Sequence, residues 1–160
     1  MTPVEEDGNH LQKLIQELAE EYEAPIFPPH CTLYSPSDLN SQDIEKILKN
    51  VAKCLRPLFV TLYRLNNSPL IWKTVFIELE RSEELVNMQQ KLIHMLPNAK
   101  HYEFLPHMSL IYKEMSDKMK KEIIQSITVQ SLYKMDKIVA MHTGPDVANW
   151  RKVVEVQLNA

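Results

Sequence analysis

Two stretches of the chain read almost alike, Phe27-x-Pro29-His30-x-Thr32-Leu33 and Phe104-x-Pro106-His107-x-Ser109-Leu110. In an extended strand, residues i and i+2 share a face, so each stretch presents an imidazole beside a hydroxyl. Histidine's ordinary pKa of about 6.5 lets one ring be neutral while another is protonated near neutral pH, the condition for a paired general base and general acid. The hydroxyls of Thr32 and Ser109 can donate to the non-bridging oxygens of a phosphoryl group. A strained cyclic phosphate ester asks for little more than water activated on one side of phosphorus and a proton for the departing sugar oxygen on the other. That chemistry requires no metal. A single His-x-Ser/Thr is a weak signal, since so short a motif arises by accident. Two copies sharing an upstream Phe-x-Pro and a downstream Leu are a strong one.

For the histidines to act as partners, the elements that hold them must face each other. The duplication extends beyond the motif: Lys13-Leu14-Ile15-x-x-Leu18 recurs as Lys91-Leu92-Ile93-x-x-Leu96, and the two offsets differ by one residue. Two copies of a half-domain, over about 8–80 and 82–158 within a single domain of 1–160, would set equivalent residues on either side of a pseudo-twofold axis.

Hydrophobic periodicity supplies the elements. In the first copy, Leu11, Leu14, Ile15, Leu18 and Tyr22 mark a helix with Asp7 or Asn9 as N-cap. A strand over His30–Tyr34 follows the proline-rich segment from Pro25 to Pro29. Ile44, Ile47, Leu48, Val51 and Leu55 mark a second helix, entered at Asn40 or Ser41 and closed by Pro57. Strands over Leu58–Leu65 and Ile71–Glu80 are joined by a hairpin-type connection at Asn66-Asn67-Ser68-Pro69. In the second copy, Leu85, Met88, Leu92 and Met95 share a helical face that breaks at Pro97-Asn98, and His107–Tyr112 reads as a strand. Met119, Ile123 and Ile127 lie on a further helix. Three apolar stretches follow, Val129–Tyr133, Ile138–Met141 and Val153–Leu158, with Gly144-Pro145-Asp146 as a turn. The order is helix, strand, helix, strand, strand, given twice.

Bulk properties narrow the chemistry. The chain has 160 residues, 44% hydrophobic and 24% charged, which suits one well-formed core. With 18 Lys+Arg against 21 Asp+Glu, no broad basic field exists to capture DNA or long RNA, although a small nucleotide or short RNA end remains open. Only two glycines occur, Gly8 and Gly144, so no glycine-rich loop can cradle phosphate and side chains must hold it. The cysteines, Cys31 and Cys54, have no metal spacing and read as reduced core thiols of a reducing compartment. No apolar run reaches the length of a membrane span and the acidic start is unlike a leader, so a cytoplasmic protein is expected.

With these residues in view, the sequence resembles the 2H phosphoesterase superfamily, named for its paired His-x-Thr/Ser motifs, and within it the cyclic phosphodiesterases of plants and fungi. The likeness is densest at Pro29-His30-Cys31-Thr32-Leu33 and over Phe104–Tyr112, and weaker in the first helix and around Trp150–Leu158. It implies a bilobal α+β fold, with antiparallel sheets of two pseudo-twofold-related lobes lining a central cleft and helices outside. It also implies hydrolysis of nucleoside 2′,3′-cyclic phosphates to 2′-phosphates, and of ADP-ribose 1″,2″-cyclic phosphate, a by-product of tRNA splicing, to ADP-ribose 1″-phosphate. No cofactor or metal is implied, and a monomer is expected.

By the same resemblance His30 and His107 are the catalytic pair, with His107 as base and His30 as acid. Thr32 and Ser109 are the phosphate ligands. Tyr112 matches the family's tyrosine five positions after the second histidine, although its odd offset from His107 would turn it from the cleft in a regular strand. Family members usually open with a strand bearing a substrate-facing aromatic, where this chain begins at Met1; either that strand is absent or the sequence is a shortened one, and in either case the expectation is a sheet short of one strand and a cleft wall short of one aromatic. An RNA-end or 2′,5′-linkage phosphoesterase of the same fold and a non-catalytic nucleotide-binding module are the alternatives.

Other residues read as structural. His94 and His101 lack zinc-site spacing. Trp72 and Trp150 each open an expected strand and read as core or rim packing. Arg64, Lys73 and Arg81 read as solvated charges, and the methionines as core filler. Cys31 would point away from His30 and Thr32.

Overall fold

The computed structural model describes residues 1–35, 41–96, 99–100 and 102–159, for 41 and 42 the backbone alone. In chain order the elements are β1 (Thr2–Pro3), α1 (Glu5–Tyr22), α2 (Ser41–Lys53), β2 (Leu58–Asn67), β3 (Val75–Leu79), α3 (Glu83–Met95), β4 (His107–Ile111), α4 (Asp117–Ser126), β5 (Leu132–His142) and β6 (Arg151–Gln157). Short 3₁₀ turns at Ile71–Lys73 and Val147–Asn149 precede β3 and β6. The fold class is α+β, with four helices and six antiparallel strands among the described residues.

Helix α1 buries Leu11, Ile15, Leu18 and Ala19, the expected seam at helical period. It starts earlier than Asp7 or Asn9 would have it, with Val4 at the N-cap and no side-chain cap. Three acidic residues, Glu5, Glu6 and Asp7, complement the dipole of that first turn instead. The Asp7 carboxylate accepts from the Lys134 backbone N–H at 2.7 Å, tying α1 to β5. At the other end Glu23 adopts the left-handed conformation, φ 51° and ψ 48°, and closes the helix through its N–H to Ala19 O. Helices α3 and α4 are capped by Ser82 and Ser116, whose side chains accept from Leu85 N and Met119 N. Of the expected entries to α2, Ser41 is its first residue and Asn40 lies outside the described residues, as does the Pro97-Asn98 break.

The sheet runs β1-β5-β2-β3-β4, with β6 also on β5. Strand β2 serves both halves: Leu58–Thr61 pair with β5, and Leu62–Asn67 pair with β3. The two halves are thus one continuous sheet joined through β2. β4, from the second repeat, pairs with β3 of the first, so neither repeat holds a complete sheet of its own. Pairing continues past β4 through a Cys31–Met108 bridge, and Cys31 exchanges both backbone hydrogen bonds with Met1, next to β1. The hydrogen-bonded path therefore leads back to the segment before β1, and the core includes Phe27, Val75, Ile77, Leu85, Met108, Leu110 and Met135.

Several sequence expectations are corrected. Residues 30–34 form no ladder, only the isolated bridge from Cys31 to Met108 and the bonds from Cys31 to Met1, and Pro28 and Pro29, without N–H groups, cannot extend the pairing upstream. The first hairpin turns later than Asn66-Asn67. Asn67 pairs with Val75, and the connection is Ser68–Thr74, where the 3₁₀ turn displaces the first residues of the expected Ile71–Glu80 strand. Tyr133 and Ile138–Met141, expected in separate stretches, belong to one eleven-residue strand, β5. Cys54 is exposed and no core thiol, and Met95 and Met119 are 42% and 38% exposed. No described helix is long and apolar enough to cross a membrane.

Candidate active site

The repeated motif becomes intelligible residue by residue. Phe27 and Phe104 are buried at 1% and 3% exposure, and Leu33 and Leu110 are buried at the other end, so each motif is anchored on both sides. Between the anchors the proline fixes φ and offers no N–H. The carbonyl two residues before each histidine meets its ring: Nδ1 of His30 lies 2.7 Å from Pro28 O, and Nδ1 of His107 lies 2.9 Å from Leu105 O. A carbonyl only accepts, so Nδ1 carries the proton in both rings. In the neutral form Nε2 is then the basic nitrogen, and in the imidazolium it is the nitrogen that releases the proton.

Both rings line one cleft of about 1080 Å³ and are half-buried. Burial pushes the pKa of His30 down to about 4; the bond to Pro28 O opposes this, and the positive N-terminus and His107 add to it. Burial also lowers His107, which the bond to Leu105 O and the charge of Glu78 oppose and Lys73 reinforces. Near pH 7 both imidazoles are neutral, and His30 is close enough to His107 to respond to its charge.

The remaining expected ligands meet at the same cleft. Thr32 is exposed on its wall. Ser109 is buried, and its hydroxyl donates to Trp72 O at 3.0 Å. Tyr112 also lines the cleft, contrary to the alternation argument, because β4 ends at Ile111 and strand alternation no longer governs the next residue. Its ring stacks on Phe27 at 3.8 Å between centroids. Burial pushes its hydroxyl up to about 12, against a hydrogen bond with Ser109, so the phenol stays neutral and able to donate. Lys113, just beyond, donates from Nζ to Tyr22 O and so ties the end of α1, and the segment leading to His30, to the end of β4.

Sequence reasoning missed the aromatic wall. Trp72 sits on the 3₁₀ turn instead of opening a strand and is 42% exposed; Trp150 directly precedes β6, its indole N–H donating to Gly144 O at 3.0 Å. The two rings lie 6.1 Å apart, Trp72 is 5.4 Å from Tyr112, and Trp150 is 6.2 Å from the imidazole of His30. No signal in the sequence marked them as site residues, since the two turns that carry them are 78 positions apart and meet only in the fold. Of the cations, Arg64 is taken up by Glu78 at 2.8 Å and Lys73 lies over the Phe76 ring at 4.4 Å. His94 bonds through Nδ1 to Gln90 O within its helix, and His101 lies outside the described residues. Among the described residues no three His, Cys, Asp or Glu side chains converge as metal ligands.

Two half-buried imidazoles with matched Nδ1 bonds, each followed at i+2 by a hydroxyl, thus line one cleft. Residues 3–138 match the model of the 2′-5′ RNA ligase superfamily, and the chain belongs to that family, the 2H phosphoesterases. It is 24% identical over 119 residues to the cyclic phosphodiesterase of Arabidopsis thaliana, a match covering 74% of this chain and 66%, just under two thirds, of that protein. A protein of Halalkalibacterium halodurans named "putative phosphoesterase" is 30% identical over 148 residues, covering 78% of this chain and 85% of its own. One of the same description from Bacillus cytotoxicus is 22% identical over 121 residues, covering 73% and 70%.

Proposed function

We propose that the chain is a metal-independent cyclic phosphodiesterase that opens nucleoside 2′,3′-cyclic phosphates to 2′-phosphates and ADP-ribose 1″,2″-cyclic phosphate to the 1″-phosphate. The observation that carries this is the matched pair of Nδ1–carbonyl bonds, which makes Nε2 the reactive nitrogen of two rings that line one cleft. In the order the family resemblance suggests, His107 takes a proton from water through Nε2 as the water oxygen bonds to phosphorus. The bond from phosphorus to the departing ribose oxygen breaks with its electron pair on that oxygen, and His30 supplies the proton. Thr32 and Tyr112 donate to the phosphoryl oxygens, and Ser109 joins them by rotating from Trp72 O. The Trp72–Trp150 wall beside His30 takes the base. Because burial disfavours an imidazolium at His30, its proton is taken up together with the anionic substrate, whose charge restores what desolvation removed.

The test is incubation of the protein in EDTA with adenosine 2′,3′-cyclic phosphate and, separately, ADP-ribose 1″,2″-cyclic phosphate, with products resolved by chromatography. Ring opening that is lost in His107→Ala supports the proposal. Opening that EDTA abolishes, or that survives His107→Ala, overturns it. A second reading, an RNA-end phosphoesterase, is favoured by the reach of the cleft, which runs past Trp150 to His142, Thr143 and Lys152. Steeply salt-dependent competition by short oligonucleotides would select it.

A further inference from the structure

Thr74 is buried at 2% exposure and stands outside the catalytic groups, yet its hydroxyl sits where two functional segments meet. Its Oγ1 lies 2.9 Å from Lys113 O, 3.0 Å from Ile71 O and 3.4 Å from Leu70 O, and it can accept from Lys113 N at 3.4 Å. Ile71 directly precedes Trp72, and Lys113 directly follows Tyr112. A hydroxyl has one proton, so it donates to one of these carbonyls at a time; given to Lys113 O, the shortest of the three contacts, it ties the Trp72 turn, which Thr74 directly follows, to the end of β4. The turn has an internal tie of its own, since Ser68 Oγ donates to Lys73 O at 2.6 Å and accepts from Leu70 N at 3.2 Å. Towards β4 its second side-chain tie is the Ser109–Trp72 bond, which phosphate would compete for.

We infer that Thr74 is a positioning residue that holds Trp72 and Tyr112 in one aromatic wall, and thereby sets the enzyme's preference for cyclic esters that carry a base. The inference rests on the proposed cyclic phosphodiesterase activity for its kinetic consequence but not for its structural content. Leu70, just before the turn, and Ile71, its first residue, are 63% and 40% exposed, so burial of their side chains contributes little to holding it, and beyond the Thr74 and Ser109 ties its start is held by Lys120 Nζ donating to Ser68 O at 3.1 Å. Without the hydroxyl, the wall loses its fixed geometry while the histidines, carried on separate backbone bonds, keep theirs.

The experiment compares Thr74→Val, which keeps the shape and removes the donor, with Thr74→Ser, which keeps the donor. Kinetics are measured on adenosine 2′,3′-cyclic phosphate and on glycerol 1,2-cyclic phosphate, which has no base. In Thr74→Val, KM for the nucleoside ester is expected to rise about tenfold, the scale of one stacking contact. Its kcat should stay within about twofold, KM for the glycerol ester should not change, and Thr74→Ser should restore the original values. An equal rise for both esters, no rise, or no rescue by Ser overturns the assignment. In parallel, acrylamide quenching of Trp72 fluorescence is measured in a Trp150→Phe background. Thr74→Val should raise the quenching constant and Thr74→Ser should not; an unchanged constant in Thr74→Val overturns the positioning role even if neither ester is turned over. Loss of turnover of both esters by the unmodified protein would count against the proposed function, and the quenching result would still decide the role of Thr74.

Discussion

Each imidazole of the candidate pair is tautomerically fixed by one backbone carbonyl, and that gives the histidines a sharp experimental signature. His30→Ala and His107→Ala should each lower kcat on a cyclic ester by about 10²-fold or more, the usual consequence of removing a general acid or base, with circular dichroism unchanged. Near-full activity in either variant would remove that residue from the chemistry. In ¹H–¹⁵N spectra of the side chains, His30 should titrate near 4 in the free protein and well above that with a nucleoside 2′-monophosphate bound, because an adjacent anion favours the imidazolium. An unshifted value would leave it without a proton to give. The pair was legible from sequence because chance rarely duplicates a strand-like i, i+2 spacing together with its flanking Phe, Pro and Leu. Tyr112 was less legible, since its direction depends on β4 stopping one residue earlier, at Ile111. Trp72 and Trp150 were not legible as site residues, because only the tertiary fold brings two turns to the side of His30.

Among the elements, helices were the most readable, since burial at helical period leaves its record in any amphipathic segment. Their caps were only partly so: α1 starts without a side-chain cap, while α3 and α4 use Ser82 and Ser116. Ser82→Ala should lower stability by about 1 kcal/mol, the ordinary worth of a serine cap, read as a fall in the urea midpoint at unchanged slope. A midpoint within error of the parent would mean water replaces the cap without loss. Strands were harder. The segment from His30 to Tyr34 has the composition of a strand but finds strand pairing only at Cys31, and the turn after β2 was placed too early because its Asn-Asn pair looks like a turn signal. In the fold those asparagines extend the ladder, Asn66 Nδ2 donating to Glu78 at 2.7 Å across the strands. Composition could not foresee a cross-strand partner of that kind.

At the scale of the whole molecule, one group links the cleft to the stability of the fold. His30 is held neutral by burial with a folded pKa of about 4, whereas in the unfolded chain it should titrate at about 6.5. Between those values the unfolded state binds more protons than the folded one, so acidification favours unfolding. The stability associated with a neutral His30 is complete above about pH 6.5 and is lost as the pH falls through the folded value. His107, also lowered by burial, acts in the same direction. The carboxylates of Glu78, Asp117 and Glu155, held down by hydrogen bonds to Arg64, Lys120 and Lys152, lose their contribution only as the pH drops below the unfolded carboxylate range of about 4. Each pair has an exposed partner, Arg64, Asp117 or Lys152, although Lys120 is buried, so the pairs are weak and sensitive to salt. The two effects occupy separate windows and respond differently to ionic strength. Urea midpoints measured from pH 7 to pH 3 should therefore fall in two stages, an upper stage between about 6.5 and 4 that added salt leaves in place and a lower one that salt flattens. His30→Gln, which cannot titrate, should remove much of the upper stage and none of the lower. A His30→Gln curve parallel to that of the parent across the upper window would show that His30 is not held neutral by the fold, and with it would go the requirement that its catalytic proton arrive with the substrate.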